Sequence, residues 1–454
     1  MNDTICAIAT PPGGAIGIVR ISGDKTLEIL SHIFSKDLTG AKPNTVHYGY
    51  ITDPQTTYID QVLVTIFHAP HSYTGEHSAE ISCHGSPYIL NKVLDLLCQE
   101  GCRIAQPGEF TKRAYLNGKL DLSQAEAVAD LIATTNKATH HIAISQLRGA
   151  VTTELAQMRQ QLLKLTSLVE LELDFSDHED LQFADRKQLI KLALDIDTHI
   201  TTLAHSFQTG QAIKNGINVA IVGKTNVGKS TLLNALLKDD RAIVSDIHGT
   251  TRDTIEDTID INGITFRFID TAGIRQTQDK VEQIGIQRTY DTIQKARIVI
   301  WLIDTIPTPE EVADITTHLA PFTSHPSPRT LIPVWNKADI CPISCHTLAD
   351  QPVIAISAKT RQGIPELETA IYNAAHIDTI TDTHTIITNA RHYDALNRAH
   401  HSITRLIQNI TELTTDILSE DLRQTINILA EITGDQITPQ ETLNNIFAHF
   451  CVGK

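Results

Sequence analysis

Residues 223–230 combine glycine, lysine and serine at the spacing of a phosphate-binding loop. They read Gly-Lys-Thr-Asn-Val-Gly-Lys-Ser and fit the pattern G-x-x-x-x-G-K-[ST]. In such a loop the glycines let backbone N–H groups surround the phosphates, Lys229 reaches the β and γ phosphates, and the Ser230 hydroxyl ligates Mg²⁺. The sequence therefore predicts a site for a nucleoside triphosphate and Mg²⁺.

Further polar motifs follow this loop in order along the chain. They are Thr250-Thr251, Asp270-Thr271-Ala272-Gly273, Asn336-Lys337-Ala338-Asp339 and Ser357-Ala358-Lys359. A carboxylate at Asp339 can accept the N1 proton and an exocyclic amine proton of guanine, and adenine offers no such pair of donors there. The motifs therefore predict that the chain binds GTP rather than ATP.

Together these motifs resemble the guanine-nucleotide-binding domains of translation-factor-type GTPases. The resemblance implies that Asp270 holds the Mg²⁺ shell through a water, that Gly273 donates its N–H to the γ phosphate, and that Thr251 ligates Mg²⁺ when the γ phosphate is present. Ile274 stands where Ras-like enzymes carry a water-orienting glutamine, so we expect the hydrolytic group elsewhere. The implied GTP contacts are Asn226, Val227, Gly228, Lys229, Ser230, Thr231, Ser245, Asp246, Ile247, His248, Gly249, Thr250, Thr251, Asp270, Thr271, Ala272, Gly273, Asn336, Lys337, Asp339, Ser357, Ala358 and Lys359.

Alternating strands and helices are expected to carry these motifs. Apolar runs predict buried strands at 218–222, 266–269, 298–303 and 331–335. This alternation is typical of a doubly wound sheet. We therefore expect a Ras-like α/β P-loop domain over 216–376.

Helical periodicity flanks this domain on both sides. Ser123 followed by Glu126 resembles a capping box at a helix start, and another helix is predicted from about 186 to 207. Apolar residues recur at helical spacing in two stretches, Leu155, Met158, Leu162, Leu165, Val169 and Leu396, Ala399, Ile403, Leu406, Ile410, Leu413. We therefore expect one helical domain, 119–210 plus 385–454, into which the α/β domain is inserted.

Residues 1–118 are expected to form a separate α+β domain. Short β-type runs at 16–21 and 62–67 occur among glycine and proline turns, and one helix is predicted around 89–97. The predicted fold class is therefore multidomain α/β plus α. It has an N-terminal α+β domain and a central helical domain with an inserted P-loop GTPase domain.

Motifs spread along the whole chain resemble the tRNA-modification GTPase family known as MnmE or TrmE. They are Gly249-Thr250-Thr251-Arg252-Asp253, Val281-Glu282-Gln283-Ile284-Gly285-Ile286, Pro107-Gly108-Glu109-Phe110-Thr111, Asn117-Gly118-Lys119-Leu120-Asp121-Leu122 and Phe450-Cys451-Val452-Gly453-Lys454. The resemblance covers essentially all 454 residues. It implies an enzyme that hydrolyses GTP to GDP. With a flavin- and NADH-using partner of the MnmG (GidA) family, the enzyme would install the (carboxymethyl)aminomethyl group at C5 of the tRNA wobble uridine, U34.

The same resemblance implies two kinds of cation and a catalytic carboxylate. The implied K⁺ ligands are the side-chain oxygen of Asn226 and the backbone oxygens of Ser245, Ile247 and Thr250. The implied Mg²⁺ ligands are Ser230 and Thr251, and Glu282 would orient or deprotonate the attacking water. A monovalent cation beside the phosphates can stabilise the transition-state charge that an arginine finger otherwise meets.

The N-terminal domain of this family resembles folate-binding aminomethyltransferase-type domains and pairs two chains. The resemblance implies a one-carbon tetrahydrofolate, of 5-formyl or 5,10-methylene type, bound at Arg20, Glu80, Lys119 and Lys454. Arginine and lysine suit the glutamate carboxylates of folate, and Glu80 suits the pterin N–H donors. A structural salt bridge is the alternative for each of the four residues. The implied assembly is a homodimer that joins the MnmG-family FAD protein in a heterotetramer and acts on tRNA.

Two other function classes compete with this interpretation. A ribosome-assembly switch would share the potassium-type loop, but that class usually carries an RNA-binding appendage with a basic GxxG segment, and no such segment occurs in this sequence. A nucleotide-gated scaffold without chemistry would have an impaired Thr251 or Glu282 position, and both residues are present. The source of the incorporated nitrogen, glycine or ammonium, stays open.

Composition predicts a folded chain that is not in a membrane. The 37 Lys and Arg against 53 Asp and Glu give a net charge of −16, which repels nucleic acid and anionic membranes at long range, so contact with tRNA must be local or supplied by a partner. The apolar run at 298–303 is far shorter than the roughly 20 residues of a membrane span, and the first residues lack the basic segment of a secretory signal. Seven scattered cysteines argue against a disulfide framework. We therefore expect a cytoplasmic protein.

Overall fold

The computed structural model describes most of the chain. The described residues are 3–53, 57–174, 186–237, 257–269, 295–319, 329–341, 345–375, 385–410 and 415–434, with Phe447 and Gly453. The chain divides into two compact units. The first unit comprises Met1–Ala133, Ala143–Thr202 and Arg391–Lys454, and the second unit comprises Thr134–Ile142 and Leu203–Ala390.

The N-terminal part of the first unit contains a six-stranded sheet. Its strands are β1 (Ile5–Ile8), β2 (Ile16–Ser22), β3 (Thr45–Thr52), β4 (Tyr58–Phe67), β5 (Ser78–His84) and β6 (Arg103–Ile104). They lie in the order β3-β4-β5-β2-β1-β6, and every neighbouring pair is antiparallel except β1 with β6. The strands predicted at 16–21 and 62–67 are confirmed by β2 and β4.

Two helices cover one face of this sheet. They are α1 (Thr26–Ile33) and α2 (Pro87–Gln99), and a third helix, α3 (Glu109–Leu116), follows β6. Leu30 and Leu90 pack with Val64 in one buried cluster, and α2 confirms the helix predicted around 89–97. Because successive side chains of a strand point to opposite faces, the other face carries Arg20 and Glu80. We call this second face the open face. Near β3 and β4 it exposes the apolar side chains Val46, Tyr48, Tyr50, Tyr58 and Leu63.

Four helices follow the sheet along the chain. They are α4 (Leu122–Ile132), α5 (Lys137–Leu147), α6 (Ala150–Asp174) and α7 (Arg186–Asn215). The apolar stripe predicted in α6 is confirmed, because all five of its residues are buried. The prediction that α7 ends near 207 was wrong. Gly210 sits against the Ile387 carbonyl, where a Cβ would collide, and continuation of the helix brings Ile213 into the buried core of the second unit.

The predicted capping box at the start of α4 was wrong in its residues. Asp121 is the N-cap, since its carboxylate accepts the Gln124 N–H at 2.8 Å and the Gln124 side chain accepts the Asp121 N–H at 3.0 Å. The Ser123 hydroxyl donates to the same Asp121 carboxylate, and Glu126 instead pairs with Arg391. A carboxylate accepts several donors at once and also suits the positive end of a helix, which explains why Asp121 takes this role.

The second unit is built around a mostly parallel sheet. Its elements are β7 (Ile217–Val222), α8 (Lys229–Leu237), β8 (Asp257–Ile261), β9 (Ile264–Phe268), β10 (Ile298–Ile303), α9 (Pro309–Leu319), β11 (Thr330–Trp335), β12 (Thr347–Leu348), β13 (Gln351–Pro352), β14 (Ile354–Ala355) and α10 (Ile364–Ala374). The main sheet has the order β14-β11-β10-β7-β9-β8, with β8 and β9 antiparallel and the other pairs parallel. The four strands predicted from apolar runs are confirmed by β7, β9, β10 and β11.

The chain then returns to helices. They are α11 (Ala390–Asn409) and α12 (Thr415–Thr433), and α12 packs against α6. Five residues of the stripe predicted in this stretch are buried, Leu396, Ala399, Ile403, Leu406 and Ile410. Leu413, the sixth, lies outside the described residues.

Within the described residues, no helix is long and apolar enough to cross a membrane. The six cysteines in the same part of the chain are free thiols, and Cys451 lies outside it.

Candidate nucleotide-binding site

The glycine-rich segment 223–230 joins the carboxyl end of β7 to the first turn of α8. The Lys229 ammonium lies over this loop, where it donates to the backbone carbonyls of Gly223 at 2.6 Å and Lys224 at 2.8 Å. Burial lowers the pKa of Lys229 from its usual value. A partly desolvated cation above a helix N-terminus is suited to an anionic phosphate group.

One buried amide ties three of the predicted motifs together. The Asn336 side chain donates to the Val227 carbonyl at 2.8 Å and accepts the Ala358 N–H at 3.0 Å, and Asn336 is only 3% exposed. Gly228 has a φ of +104°, and a Cβ there would collide with the Asn336 amide nitrogen. The structure therefore brings the phosphate-binding loop, the 336–339 motif and the 357–359 motif into direct contact.

A second link joins the 336–339 motif to the phosphate-binding loop. The Lys337 ammonium donates to the Asn226 carbonyl at 3.1 Å and forms an ion pair with Asp304, with Nζ and Oδ2 separated by 2.7 Å. Asn226 and Lys337 both have left-handed backbones, with φ of +64° and +62°. Within the described residues, the Asn226 side chain makes no hydrogen bond, so its amide oxygen is available to a cation.

The residues predicted to recognise the base lie at the end of β11 and after β14. Asp339 is exposed, and in the described part of the chain its carboxylate has no hydrogen-bond or ion-pair partner. Ser357 is fully buried and its hydroxyl accepts the Thr360 N–H at 3.2 Å, whereas Lys359 is exposed. The buried serine holds the turn, and the free carboxylate is chemically able to accept guanine protons.

Ser230 and Thr231 occupy the second and third positions of α8. Their place beside Lys229 at the helix N-terminus fits a Mg²⁺-bound triphosphate. The other predicted nucleotide and cation residues lie outside the described residues. They are Ser245, Asp246, Ile247, His248, Gly249, Thr250, Thr251, Asp270, Thr271, Ala272, Gly273 and Glu282.

A second polar cluster lies on the open face of the sheet in the first unit. Arg20 and Glu80 are cross-strand partners on β2 and β5, and their side chains form an ion pair with Nη2 and Oε1 separated by 2.7 Å. The Arg20 guanidinium also lies 5.8 Å from the Tyr73 ring centroid and 5.7 Å from that of Phe110. The tyrosine is 40% exposed.

Two further contacts surround this cluster. The Lys119 ammonium donates to the Pro70 carbonyl at 3.1 Å, three residues before Tyr73 in the same loop. The Gly453 carbonyl accepts from Arg20 Nη1 at 2.9 Å. Lys454 lies outside the described residues. The half-buried Arg20 guanidinium, the exposed Lys119 ammonium, the free Glu80 oxygen and the aromatic ring fit a flat, acidic ligand such as a folate.

Comparison with known proteins covers both units. The family description "MnmE helical domain" matches residues 122–451, and "GTP-binding protein TrmE N-terminus" matches residues 4–119. The tRNA modification GTPase MnmE of Bacteroides thetaiotaomicron is 51% identical over 100% of both chains. The protein of the same name from Phocaeicola vulgatus is 50% identical, over 100% of this chain and 99% of its own.

The chain belongs to the MnmE family of tRNA modification GTPases. Among solved structures, the G domain of the T. maritima FeoB iron transporter matches 35% of this chain and 99% of its own, at 24% identity and a TM-score of 0.26.

Sequence reasoning about this MnmE family member missed several residues that the structure brings to the two sites. Asp304 directly follows β10, and an acid at the carboxyl end of a parallel strand was the available signal. Tyr73 and Gly453 reach Arg20 from distant parts of the chain, and no local pattern marks such contacts.

Proposed function

We propose that the chain hydrolyses GTP and, with an MnmG-type flavoprotein, modifies C5 of the tRNA wobble uridine. Family membership over the full length supports this function. The observation that carries it is the Asn336 amide, which joins Val227 of the phosphate-binding loop to Ala358 of the 357–359 motif. That junction supports a single site for the triphosphate and the base.

Phosphate binding rests on Lys229 and the N-terminus of α8. Lys229 binds the β and γ phosphates, while Ser230 and Thr251 hold Mg²⁺ and Asp270 holds its water shell. Asp339 selects guanine, because its unpaired carboxylate accepts two protons that adenine does not offer. The bound Mg²⁺ supplies positive charge that offsets the charge developing on the phosphates.

In this proposal Glu282 acts in the hydrolytic step, and a bound K⁺ would supply positive charge beside the phosphates. Asn226 contributes its side-chain oxygen, which is unpartnered among the described residues, and Ser245, Ile247 and Thr250 contribute backbone oxygens. Glu282 orients or deprotonates the attacking water, the role that Ile274 cannot take in place of glutamine.

The cluster on the open face of the first unit is the proposed site for one-carbon tetrahydrofolate, of 5-formyl or 5,10-methylene type. Lys119 and Lys454 attract the glutamate carboxylates, and the second oxygen of Glu80 accepts pterin N–H groups. Arg20 forms an ion pair with Glu80, so it holds Glu80 at the pterin end and does not reach the glutamate carboxylates, the contact that the resemblance had implied. Tyr73 contacts the ligand with the exposed part of its side chain. The bound folate supplies the one-carbon unit for the modification.

The same open face supports the proposed assembly. Two copies that pair through 1–118 would bury its five exposed apolar side chains, Val46, Tyr48, Tyr50, Tyr58 and Leu63. We place the helical domain at 119–210 plus 385–454 and the inserted GTPase domain at 216–376. The homodimer joins an MnmG-family FAD protein in a heterotetramer in the cytoplasm.

Tyr48→Asp tests this pairing, because a charge on the open face should convert the dimer to monomers in light scattering. Ile340→Asp is the matched control, since Ile340 is 72% exposed but lies in the second unit. Dimers that survive Tyr48→Asp would place the interface elsewhere.

The modification itself is tested in a strain that lacks this gene. Digested tRNA is analysed by liquid chromatography and mass spectrometry for C5-modified wobble uridine. The wild-type gene should restore the modified nucleoside and Lys229→Ala should not, since the alanine removes the phosphate-binding cation. Unmodified U34 with the wild-type gene would contradict the proposal, and a ribosome-assembly defect alone would favour the competing class of switch.

A further inference from the structure

The Lys337 ammonium connects two parts of the nucleotide site that have different tasks. It bridges the Asp304 carboxylate at 2.7 Å and the Asn226 carbonyl at 3.1 Å. Lys337 belongs to the motif proposed for the base, and Asn226 is the proposed K⁺ ligand. One ammonium group therefore contacts the residue that would bind the cation.

The Asn226 backbone needs such support. Its φ of +64° is a left-handed conformation, which asparagine tolerates but does not strongly prefer. The side chain leaves the backbone at an angle that this conformation determines, so a shift at the Asn226 carbonyl also moves the amide oxygen. Asn226 is exposed, and the described residues offer its side chain no hydrogen bond that could hold it independently.

Asp304 decides whether the ammonium stays in place. The Lys337 side chain is 38% exposed and has a flexible stem, so the ammonium can otherwise be solvated by water. Asp304 is 25% exposed and lies at the end of β10, a buried strand, which fixes its position. The carboxylate therefore holds Lys337 against the loop.

We propose that Asp304 is a positioning residue for the monovalent-cation site, acting through Lys337 on the backbone of Asn226. The inference rests on the proposed K⁺-dependent GTP hydrolysis and adds a residue of this chain that tunes it. Asp304 touches neither nucleotide nor cation in this role. Its loss should weaken K⁺ binding more than it weakens guanine-nucleotide binding.

The test uses the full-length chain and a fluorescent mant-GDP probe. The first measurement is the Kd of mant-GDP in choline chloride without K⁺. The second is the K⁺ concentration that gives half-maximal formation of the mant-GDP aluminium fluoride complex, at constant ionic strength. Both report binding rather than turnover.

Asp304→Asn keeps the shape of the side chain and removes its charge. We expect the K⁺ midpoint to rise about tenfold, the scale of one lost charge-assisted hydrogen bond, with the mant-GDP Kd changed less than about threefold. Asp304→Glu, which restores the charge, should recover part of the K⁺ affinity. An unchanged K⁺ midpoint, or an equal loss in both measurements, would overturn the proposal.

Glu311→Gln is the matched control for a general loosening of the loop. Glu311 on α9 pairs with Lys224 of the same loop at 2.7 Å, the same separation as in the Lys337–Asp304 pair. We expect its K⁺ midpoint to stay near the wild-type value, and a rise equal to that of Asp304→Asn would overturn the specific role of Asp304. If the wild-type chain forms the mant-GDP aluminium fluoride complex equally well without K⁺, the proposed cation site itself is wrong. That result requires no variant.

Discussion

The nucleotide site takes many of its polar groups from the backbone, whereas the Arg20 cluster takes side chains from distant parts of the chain. In the first site, the carbonyls of Asn226 and Val227 are bound by side chains of the 336–339 motif, and Gly228 leaves room for the amide. In the second site, strand pairing brings Arg20 to Glu80 and the loop before β5 supplies Tyr73.

A site built from backbone groups and a site built from side chains therefore depend on their surroundings in different ways. A loop that works through its backbone demands particular residue types at consecutive positions, because only glycine or asparagine suits some of its backbone angles. A cluster of side chains needs only the correct register of the strands and the correct docking of loops. The first kind of site is sensitive to one added methyl group. The second kind is sensitive to the loss of a contact that holds one of its side chains in place.

The largest expected effect concerns the backbone-built site. Gly228→Ala adds a Cβ that collides with the Asn336 amide in a left-handed backbone, so mant-GDP affinity should fall by more than about 100-fold, or about 2.7 kcal/mol. Fluorescence titration with mant-GDP checks this value. Gly40→Ala is the control, since a Cβ there meets open space. Affinity within threefold of wild type would show that the loop can rearrange.

Glu282→Ala separates binding from chemistry at the same site. The backbone contacts stay, so GTP affinity should be nearly unchanged, while kcat falls by about 100-fold, the scale of a positioned base. Single-turnover hydrolysis with a parallel nucleotide titration gives both numbers. A loss of affinity with an unchanged kcat would mean that Glu282 only shapes the site.

Gly453→Ala makes a similar change beside the Arg20 cluster. Gly453 has a φ of +96°, and its Cβ would lie 2.6 Å from the Ile8 carbonyl oxygen and 2.9 Å from the Ala9 Cα. The tail should leave Arg20, so affinity for 5-formyltetrahydrofolate should fall about tenfold, the scale of one lost anchoring contact. GTP hydrolysis should be unaffected, and fluorescence titration measures the folate affinity.

Gly101→Ala is the control for Gly453→Ala, because Gly101 has a similar φ of +107° with open space around it. An equal loss of folate affinity in both variants would show that backbone strain, and not the displaced tail, is responsible.

The smallest expected effect is a difference between the two units in how much acid lowers their stability. Burial would raise the pKa of Glu126 in the first unit, but hydrogen bonds and charge from His392 and Arg391 outweigh it, so the pKa lies below its usual 4.5. A carboxyl with a lowered folded pKa stabilises the fold above pH 4.5, and this contribution is lost as the pH falls through the folded value. In the second unit, the lowered pKa of Glu311 comes from a solvent-exposed pair with Lys224. Such an exposed pair contributes little to the free energy of unfolding.

Calorimetry at pH 6 and pH 4 checks this difference. The transition of the first unit should fall by about 3 °C more than that of the second, the shift that roughly 1 kcal/mol produces in a unit of this size. Glu126→Gln should reduce the difference but not abolish it, because the pKa of Glu109 in the same unit is also lowered, against its burial, by hydrogen bonds from Arg103. A larger acid shift in the second unit would contradict the assignment.

Much of the fold was predictable because its signals are local. The run at 298–303 became β10 with the predicted bounds, and the stripe in α6 is buried as expected. The cap of α4 was predicted on Ser123 and Glu126, but Asp121 takes it, because Glu126 is drawn into a pair with Arg391, 265 residues away. Sequence spacing carries no information about such a competitor.

The phosphate-binding loop, the guanine-type motif and the family could all be predicted without a structure, because those features depend on residue types at short spacing. Two sets of contacts required the folded chain: Lys337 bridges Asp304 and Asn226, and Arg20 binds both Glu80 and the Gly453 carbonyl. Those contacts join residues up to 433 positions apart. They exist because strand register and loop packing bring opposite charges and unpaired carbonyls within hydrogen-bonding distance, where leaving either unpaired would be costly.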